Sequence, residues 1–406
     1  MDGFLTVGHP AAIGAVHAML ATRAPHAVLL AGPPSVGKRS LALDLAAGLL
    51  CSGAVAGARP CRACRACRMV EHGNHPDLHV LEPEGPGGQV GIGGKDGKRG
   101  VRDLVTELSL LPVEGVARVA IIRDAHRMND DAQSALLKTL EEPPSRTTLI
   151  LVADDEERLL PTVRSRCARI RLGTVSARDI ETLLAQRDLA DAPTAARLSR
   201  LAGGRSGLAV AYASAPGAET IRNELTRTLI DLLAAGASDR LLAAKGLLGR
   251  AASLAALLAP AVPGVPEPAA RGRGRSRTGA PATGVRAAAD ADAGVPADGD
   301  AATSGGDEPV AKVPASERRR ALALLLDAWR DVARDLALAQ AGSPRAVRDV
   351  ALLEELDAAA LDLPAGAAAG SLARLMRASE LLEANVAPEL VLDVLLVRWP
   401  RRRSAA

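Results

Sequence analysis

Short apolar runs alternate with amphipathic stretches over the first 174 residues: Ala27 to Ala31 and Val119 to Ile122 read as strands, and a helix begins at Gly37. That alternation predicts an α/β domain with a parallel sheet over 1–174. From Ser176 to about Leu258 the strands vanish. Leu, Ala and Ile recur there at three- and four-residue spacing, broken by Gly203, Gly204 and Gly207, which predicts a small helical bundle over 175–258. Pro, Gly, Ala and Asp then dominate, with RGRGRSR at Arg271 to Arg277 and ADADAGVPADGD at Ala289 to Asp300. Too few large apolar side chains remain to offset the entropy of ordering, so 259–315 is expected to be a disordered linker. Helical periodicity returns at Ser316 through Leu322, Leu325, Leu326, Trp329 and Val332, and runs to Trp399 with a break near Pro364. A second all-helical domain over 316–399 follows, then a solvated basic tail over 400–406.

Length and composition narrow the functions. At roughly 100 to 200 residues per domain, 406 residues give two to four domains, and 48% apolar content can fill a core in each. Lys and Arg number 50 against 47 Asp and Glu, a net charge of +3, so no uniform polycation coats nucleic acid. Any such contact is local or shared with partners. The aromatics Phe4, Tyr212, Trp329 and Trp399 make up 1% of the chain, which excludes base-stacking platforms. There is no basic-then-apolar leader at the start and no apolar run of the roughly 18 residues a membrane span needs. A cytoplasmic chain without membrane contact is expected.

The first strand, HAVLLA, leads into Gly32-Pro33-Pro34-Ser35-Val36-Gly37-Lys38. In a phosphate-binding loop of this type, glycines let backbone N–H groups point at phosphate oxygens and the lysine reaches the outer phosphates. A strand-to-helix turn with no ligand is the plainer reading. The next residue is Arg39, where a Ser or Thr hydroxyl ordinarily ligates Mg²⁺, and Ser40 lies about 100° further round the helix. The strand Val119 to Ile122 runs into Arg123-Asp124, a cation and an aspartate where such sites carry an acidic pair. Both departures weaken a metal-dependent phosphoryl transfer, which depends on positioned metal and charge. Hydrolysis in cis is not expected.

Cys51-x9-Cys61-x2-Cys64-x2-Cys67 places four soft ligands within seventeen residues, enough for one tetrahedral zinc with no position left for water. The site is expected to be structural, a zinc module over 51–67. Arg59, Arg62, Arg65 and Arg68 are interleaved with the thiols and are expected to offset their charge. A redox pair or inert thiols are the alternatives. His72, His75 and His79 read as a loop entering a strand.

Downstream, Ser134-Ala135-Leu136-Leu137-Lys138-Thr139-Leu140-Glu141-Glu142-Pro143-Pro144 precedes a strand at Thr148 to Val152 and then Ser165-Arg166-Cys167. The helix carrying the first run is expected to be capped by Asn129 or Asp130 and stopped by Pro143-Pro144. Leu136, Leu137 and Leu140 form its packing stripe. Lys138, Glu141 and Glu142 receive no chemistry. With the phosphate loop, His9 and His26, this constellation resembles the ATPase-like subunits of the bacterial sliding-clamp loader, in the AAA+ superfamily. Leu381 to Leu390, LLEANVAPEL, is similar to the end of that family's oligomerisation collar.

The resemblance implies an AAA+ P-loop domain with an inserted zinc module, a helical lid and a C-terminal all-α collar. Arg39 and Arg123 fit the family's delta-prime pattern, in which the nucleotide site, Gly32 to Ser40 with Asp124, is degenerate and the Ser-Arg-Cys motif is kept. Gly207 stands where motor subunits carry a lid arginine, with Arg205 as a partial substitute, and Asp154 stands at a sensor position. Arg166 would then serve as an arginine finger in trans; an ordinary surface arginine is the alternative. ATP or ADP would be bound passively if at all, and turnover would belong to the DNA polymerase III holoenzyme. The implied partners are gamma/tau and delta subunits, with the beta sliding clamp and primed DNA reached through the assembly. An ATP-hydrolysing motor subunit, or a zinc-module nucleic-acid adaptor, remain the other readings.

Overall fold

The central strands are rich in Val, Ile, Leu and Ala whose alternate residues point to opposite covered faces, as a parallel sheet flanked by helices requires, while the edge strand with Arg169 and Arg171 is partly exposed. The computed structural model of the chain describes residues 3–53, 58–83, 88–93, 99–115, 117–259 and 314–402. The expected linker, apart from its first residue and last two, and its RGRGRSR and ADADAGVPADGD runs lie outside the described residues. So does the end of the tail from Arg403.

The chain begins with α1 (Pro10–Ala21), β1 (Ala27–Ala31), α2 (Lys38–Leu50), α3 (Arg65–Glu71), β2 (Leu78–Leu81), α4 (Val101–Leu108) and β3 (Arg118–Ile122). It continues through α5 (Asp130–Glu141), β4 (Thr147–Ala153), α6 (Pro161–Arg164) and β5 (Ala168–Arg171). The strands are all parallel in the order β2-β3-β4-β1-β5. Val28, Leu30, Val119, Ile121, Ile150 and Val152 face α1, α2 and α3. Ala27, Leu29, Ala120, Ile122, Leu149 and Leu151 face α4 and α5. Asn129 caps α5 by accepting from the Ala132 amide at 2.9 Å, and the helix stops before Pro143.

Nine helices complete the described chain: α7 (Ala177–Gln186), α8 (Ala192–Ala202), α9 (Ser206–Ser214), α10 (Ala218–Asp231), α11 (Ala237–Leu257), α12 (Ala315–Gln340), α13 (Leu353–Asp362), α14 (Ala367–Glu383) and α15 (Pro388–Val397). Helices from the two expected helical segments share one apolar core that runs from Val175 to Trp399. At its centre Trp329 meets Trp399 edge to face at 5.1 Å. The first residues of the expected tail are anchored: the buried Arg240 donates to Trp399 O and to Pro400 O at 2.8 Å, and the Arg402 amide donates to Leu233 O at 3.0 Å. No helix among the described residues is long and apolar enough to cross a membrane.

Candidate functional site

The phosphate-type loop leaves β1 at its carboxyl end and enters α2. Gly32, at φ +146°, passes so close to the chain that a Cβ there would lie 2.0 Å from Leu172 O, and Gly37 takes φ +109° at the helix start. Neither position accepts an ordinary side chain. Pro33, Pro34 and Ser35 are exposed and Val36 is buried. Lys38 folds back into its own loop: Nζ donates to Gly32 O at 2.5 Å and to Pro33 O, and pairs with Asp154 Oδ1 at 2.8 Å.

The first turn of α9 packs directly on this loop. The Gly207 amide donates to Ser35 O at 2.7 Å, Ser206 Oγ donates to Val36 O at 3.3 Å, and His9 Nε2 donates to the same Val36 carbonyl at 2.7 Å. A Cβ on Gly207 would stand 3.0 Å from Ser35 O, so the close approach suits glycine. Arg205, the expected substitute for a lid arginine, does not reach the loop. It turns toward α12, at 3.5 Å from Asp327 and 3.6 Å from Asp331, because those two carboxylates offer the nearer counter-charge.

At the place where a metal would be ligated the chain supplies cations. The Arg39 guanidinium, on the surface beside Ser40, is held below the ordinary arginine range first by partial desolvation and then by the charge of Arg123, with Glu82 and Asp124 opposing. Arg123 is half-buried and paired with Glu82, more than the solvated strand end its position suggests. Asp124, in a left-handed conformation, presents a ligand atom within 4.8 Å of those of His126 and Asp154. Asp154 is already engaged by Lys38. His126, which the sequence did not single out, accepts from the Asp154 amide at 3.2 Å through Nδ1, and burial lowers its pKa.

The four cysteines converge between α2 and α3. Cys51 Sγ lies 3.6 Å from Cys61 Sγ and 4.0 Å from Cys64 Sγ, and Cys61 lies 4.0 Å from Cys67. Four sulfurs at about 2.3 Å from one tetrahedral ion would be about 3.8 Å apart, so the residues present fit zinc. Amides of Cys64 and Cys67 point at Cys61 and Cys64 sulfurs, each at 3.4 Å. At Cys64 burial alone would raise the pKa, but donated hydrogen bonds outweigh it and bring the thiol down to about 5; at Cys67 burial pushes it up to about 12. Two of the four arginines expected to screen the thiols are engaged elsewhere. Arg62 donates to Gly3 O at 2.7 Å and pairs with the buried Asp44 of α2, while Arg65 pairs with Glu114 at 3.3 Å. Those carboxylates offer full charge-assisted hydrogen bonds that thiolate sulfurs do not.

Arg166 follows α6 and precedes β5, at the amino ends of the strands. The phosphate loop leaves their carboxyl ends, so about a strand length, some 15 Å at 3.3 Å per residue, separates them. Arg166 is 36% exposed, pairs with Glu141 Oε1 at 2.6 Å and donates to Thr162 O at 3.0 Å. Cys167 beside it donates to Val163 O at 3.3 Å, and burial raises its thiol to about 11, so it is not a reactive thiolate at neutral pH.

Residues 9–176 match the family described as DNA polymerase III, delta subunit. Over 149 residues the chain is 40% identical to the DNA polymerase III subunit delta' of Pseudomonas aeruginosa, covering 36% of this chain and 42% of that protein. It is 46% identical over 67 residues to the delta' subunit of Escherichia coli, covering 16% of this chain and 20% of the relative. The first part of the chain, residues 9–176, is thus similar to delta-type subunits of DNA polymerase III. The DNA polymerase III subunit tau of Escherichia coli is also similar, 31% identical over 180 residues, 43% of this chain and 26% of that one. The chain thus spans less than half the length of these curated relatives. A solved gamma subunit-related protein of DNA polymerase III from Thermotoga maritima covers 95% of this chain and 97% of its own at 16% identity, with a TM-score of 0.40.

Proposed function

We propose that this chain is a clamp-loader subunit of the delta-prime type: a stator that does not hydrolyse ATP itself, supplies Arg166 to the nucleotide of a neighbouring subunit, and so helps place a sliding clamp on primed DNA for DNA polymerase III. The observation that carries the reading is the pairing of a cation-filled phosphate loop with an exposed Arg166 at the far end of the sheet. Arg39 and Arg123 stand in place of a metal hydroxyl and a carboxylate, Lys38 is satisfied by its own loop and Asp154, and the lid rests on Ser35 and Val36. Phosphoryl transfer needs positioned Mg²⁺ and a base, and here Arg39 replaces the metal-ligating hydroxyl and Arg123 the first carboxylate of the acidic pair. Arg166 cannot serve its own loop at that distance, so any catalytic use of it is in trans. There a guanidinium neutralises charge developing on the γ-phosphate, a contribution of about 10³ to 10⁵ in rate for arginine fingers.

The zinc module is a structural brace in this reading, binding one Zn²⁺ through Cys51, Cys61, Cys64 and Cys67. Gamma/tau and delta subunits are the partners, and clamp and primed DNA are met through the assembly. An apolar tip of Leu110, Leu111 and Val113, 61%, 82% and 68% exposed, is consistent with a chain whose surface is covered in a complex. Similarity to tau subunits favours a second reading, an ATP-hydrolysing motor of the same machine. Reconstitution separates them. With gamma/tau, delta, clamp and primed DNA, Arg166→Ala is expected to lower DNA-stimulated ATP turnover by at least tenfold, while the purified chain alone hydrolyses no ATP. Undiminished turnover by the R166A loader sinks the finger, and ATPase activity of the homogeneous chain favours the motor.

A further inference from the structure

Resting on that trans-finger reading, we infer that Glu141, the last residue of α5, is a positioning residue for the Arg166 finger. A third-exposed arginine ordinarily samples many rotamers and loses side-chain entropy when fixed. This one is fixed on two sides: Nη2 donates to Glu141 Oε1 at 2.6 Å and Nη1 donates to Thr162 O at 3.0 Å. Helix stability does not recommend an acid at position 141, because the carboxyl end of a helix carries partial negative charge and disfavours a carboxylate. The partner that repays the placement is Arg166.

The same helix braces the finger's approach about two turns earlier. Gln133, buried, accepts from the Leu160 amide at 2.7 Å and donates to Arg158 O at 3.3 Å. Leu160 is the residue that starts α6, so α5 fixes the segment at its entry through Gln133 and at its exit through Glu141. A guanidinium has five N–H donors in a planar fork. Two are used by Glu141 and Thr162, and the others stay free to meet phosphate oxygens. Glu141 can therefore remain bonded while the finger works, holding the plane of the fork for a neighbour's γ-phosphate.

The test uses the reconstituted loader, with ATP turnover measured against ATP concentration and assembly followed by size-exclusion chromatography. An exposed ion pair of this kind fixes its partner only modestly, so Glu141→Ala is expected to lower kcat about 1.5- to fivefold with KM for ATP and assembly unchanged. Glu141→Gln keeps an oxygen acceptor for Nη2 and is expected to recover most of the loss. In an Arg166→Ala background, Glu141→Ala is expected to have no further effect. A wild-type rate for E141A beside a slowed R166A overturns the positioning role while leaving the finger standing. So does an E141A deficit that persists in the R166A background, or an equal deficit in the Gln variant. If R166A turns over normally, the finger reading and this inference fall together.

Discussion

Asp77 accepts hydrogen bonds from three successive amides, Val113 at 2.6 Å, Glu114 at 2.9 Å and Gly115 at 2.6 Å, and is fully buried. Burial alone would raise its pKa, but the three donated N–H groups, helped by His75, outweigh it and hold the carboxyl below the ordinary aspartate range. The folded pKa is depressed, so the stabilisation is complete above the unfolded value near 3.9 and is lost as pH falls through the lower folded value. Acid unfolding of Asp77→Asn, followed by circular dichroism, is expected to have a shallower dependence on pH below about 4 than the parent. Asp77→Ala removes the acceptor of three part-buried amides and is expected to cost about 1 to 3 kcal/mol in urea unfolding at neutral pH. Neither Asp77 nor Asp44 stands out in the sequence. A single acid beside apolar residues has no spacing signature, and the amides that Asp77 serves lie 36 to 38 positions away.

The cysteine cluster and α5 mark the limits of what elements disclose in advance. Ligand spacing betrays the four cysteines because a tetrahedral ion needs short loops, and Asn129 and Pro143 betray the ends of α5 because caps and breakers act locally. The arginines between the thiols mislead for the opposite reason: proximity in sequence suggested charge offset, but Arg62 and Arg65 reach Asp44 and Glu114 across the fold. Arg205 and Glu141 are illegible likewise, their partners Asp327 and Arg166 lying 122 and 25 residues away. The metal prediction belongs at this scale. Metal analysis of protein purified without chelator is expected to find about one zinc per chain, and far less in Cys64→Ser. Stripping the zinc is expected to open 58–71 to limited proteolysis, because α3 has only seven residues and too little core of its own to persist.

Across the whole molecule, the described helices beyond Val175 are joined by apolar packing and by a buried ionic network that no local pattern discloses. Arg222, 3% exposed, pairs with Asp331 at 3.2 Å and Asp349 at 3.0 Å. Asp331 also takes Arg348 at 3.0 Å and Arg205 at 3.6 Å, and Asp335 accepts from the Arg348 and Asp349 amides at 3.1 and 3.2 Å. Arg205 precedes α9, whose first turn rests on the phosphate loop through Ser206 and Gly207, so the network ties the lid to α12 a single residue from the nucleotide-type site. In a motor, a lid that follows the nucleotide must move. Here the cation that begins α9 is committed to α12, as the proposed stator role would require. Arg222→Ala leaves Asp331 and Asp349 buried with fewer counter-charges and is expected to cost about 3 to 5 kcal/mol. Because the lesion sits in the helical core, hydrogen exchange is expected to accelerate in α8 to α10 and α12 while protection in β1, β3 and β4 and the zinc content stay at parent levels. Uniform acceleration across sheet and helices would mean that the helical core and the sheet unfold as one cooperative unit, and a rigid lid could not then be credited to this network alone.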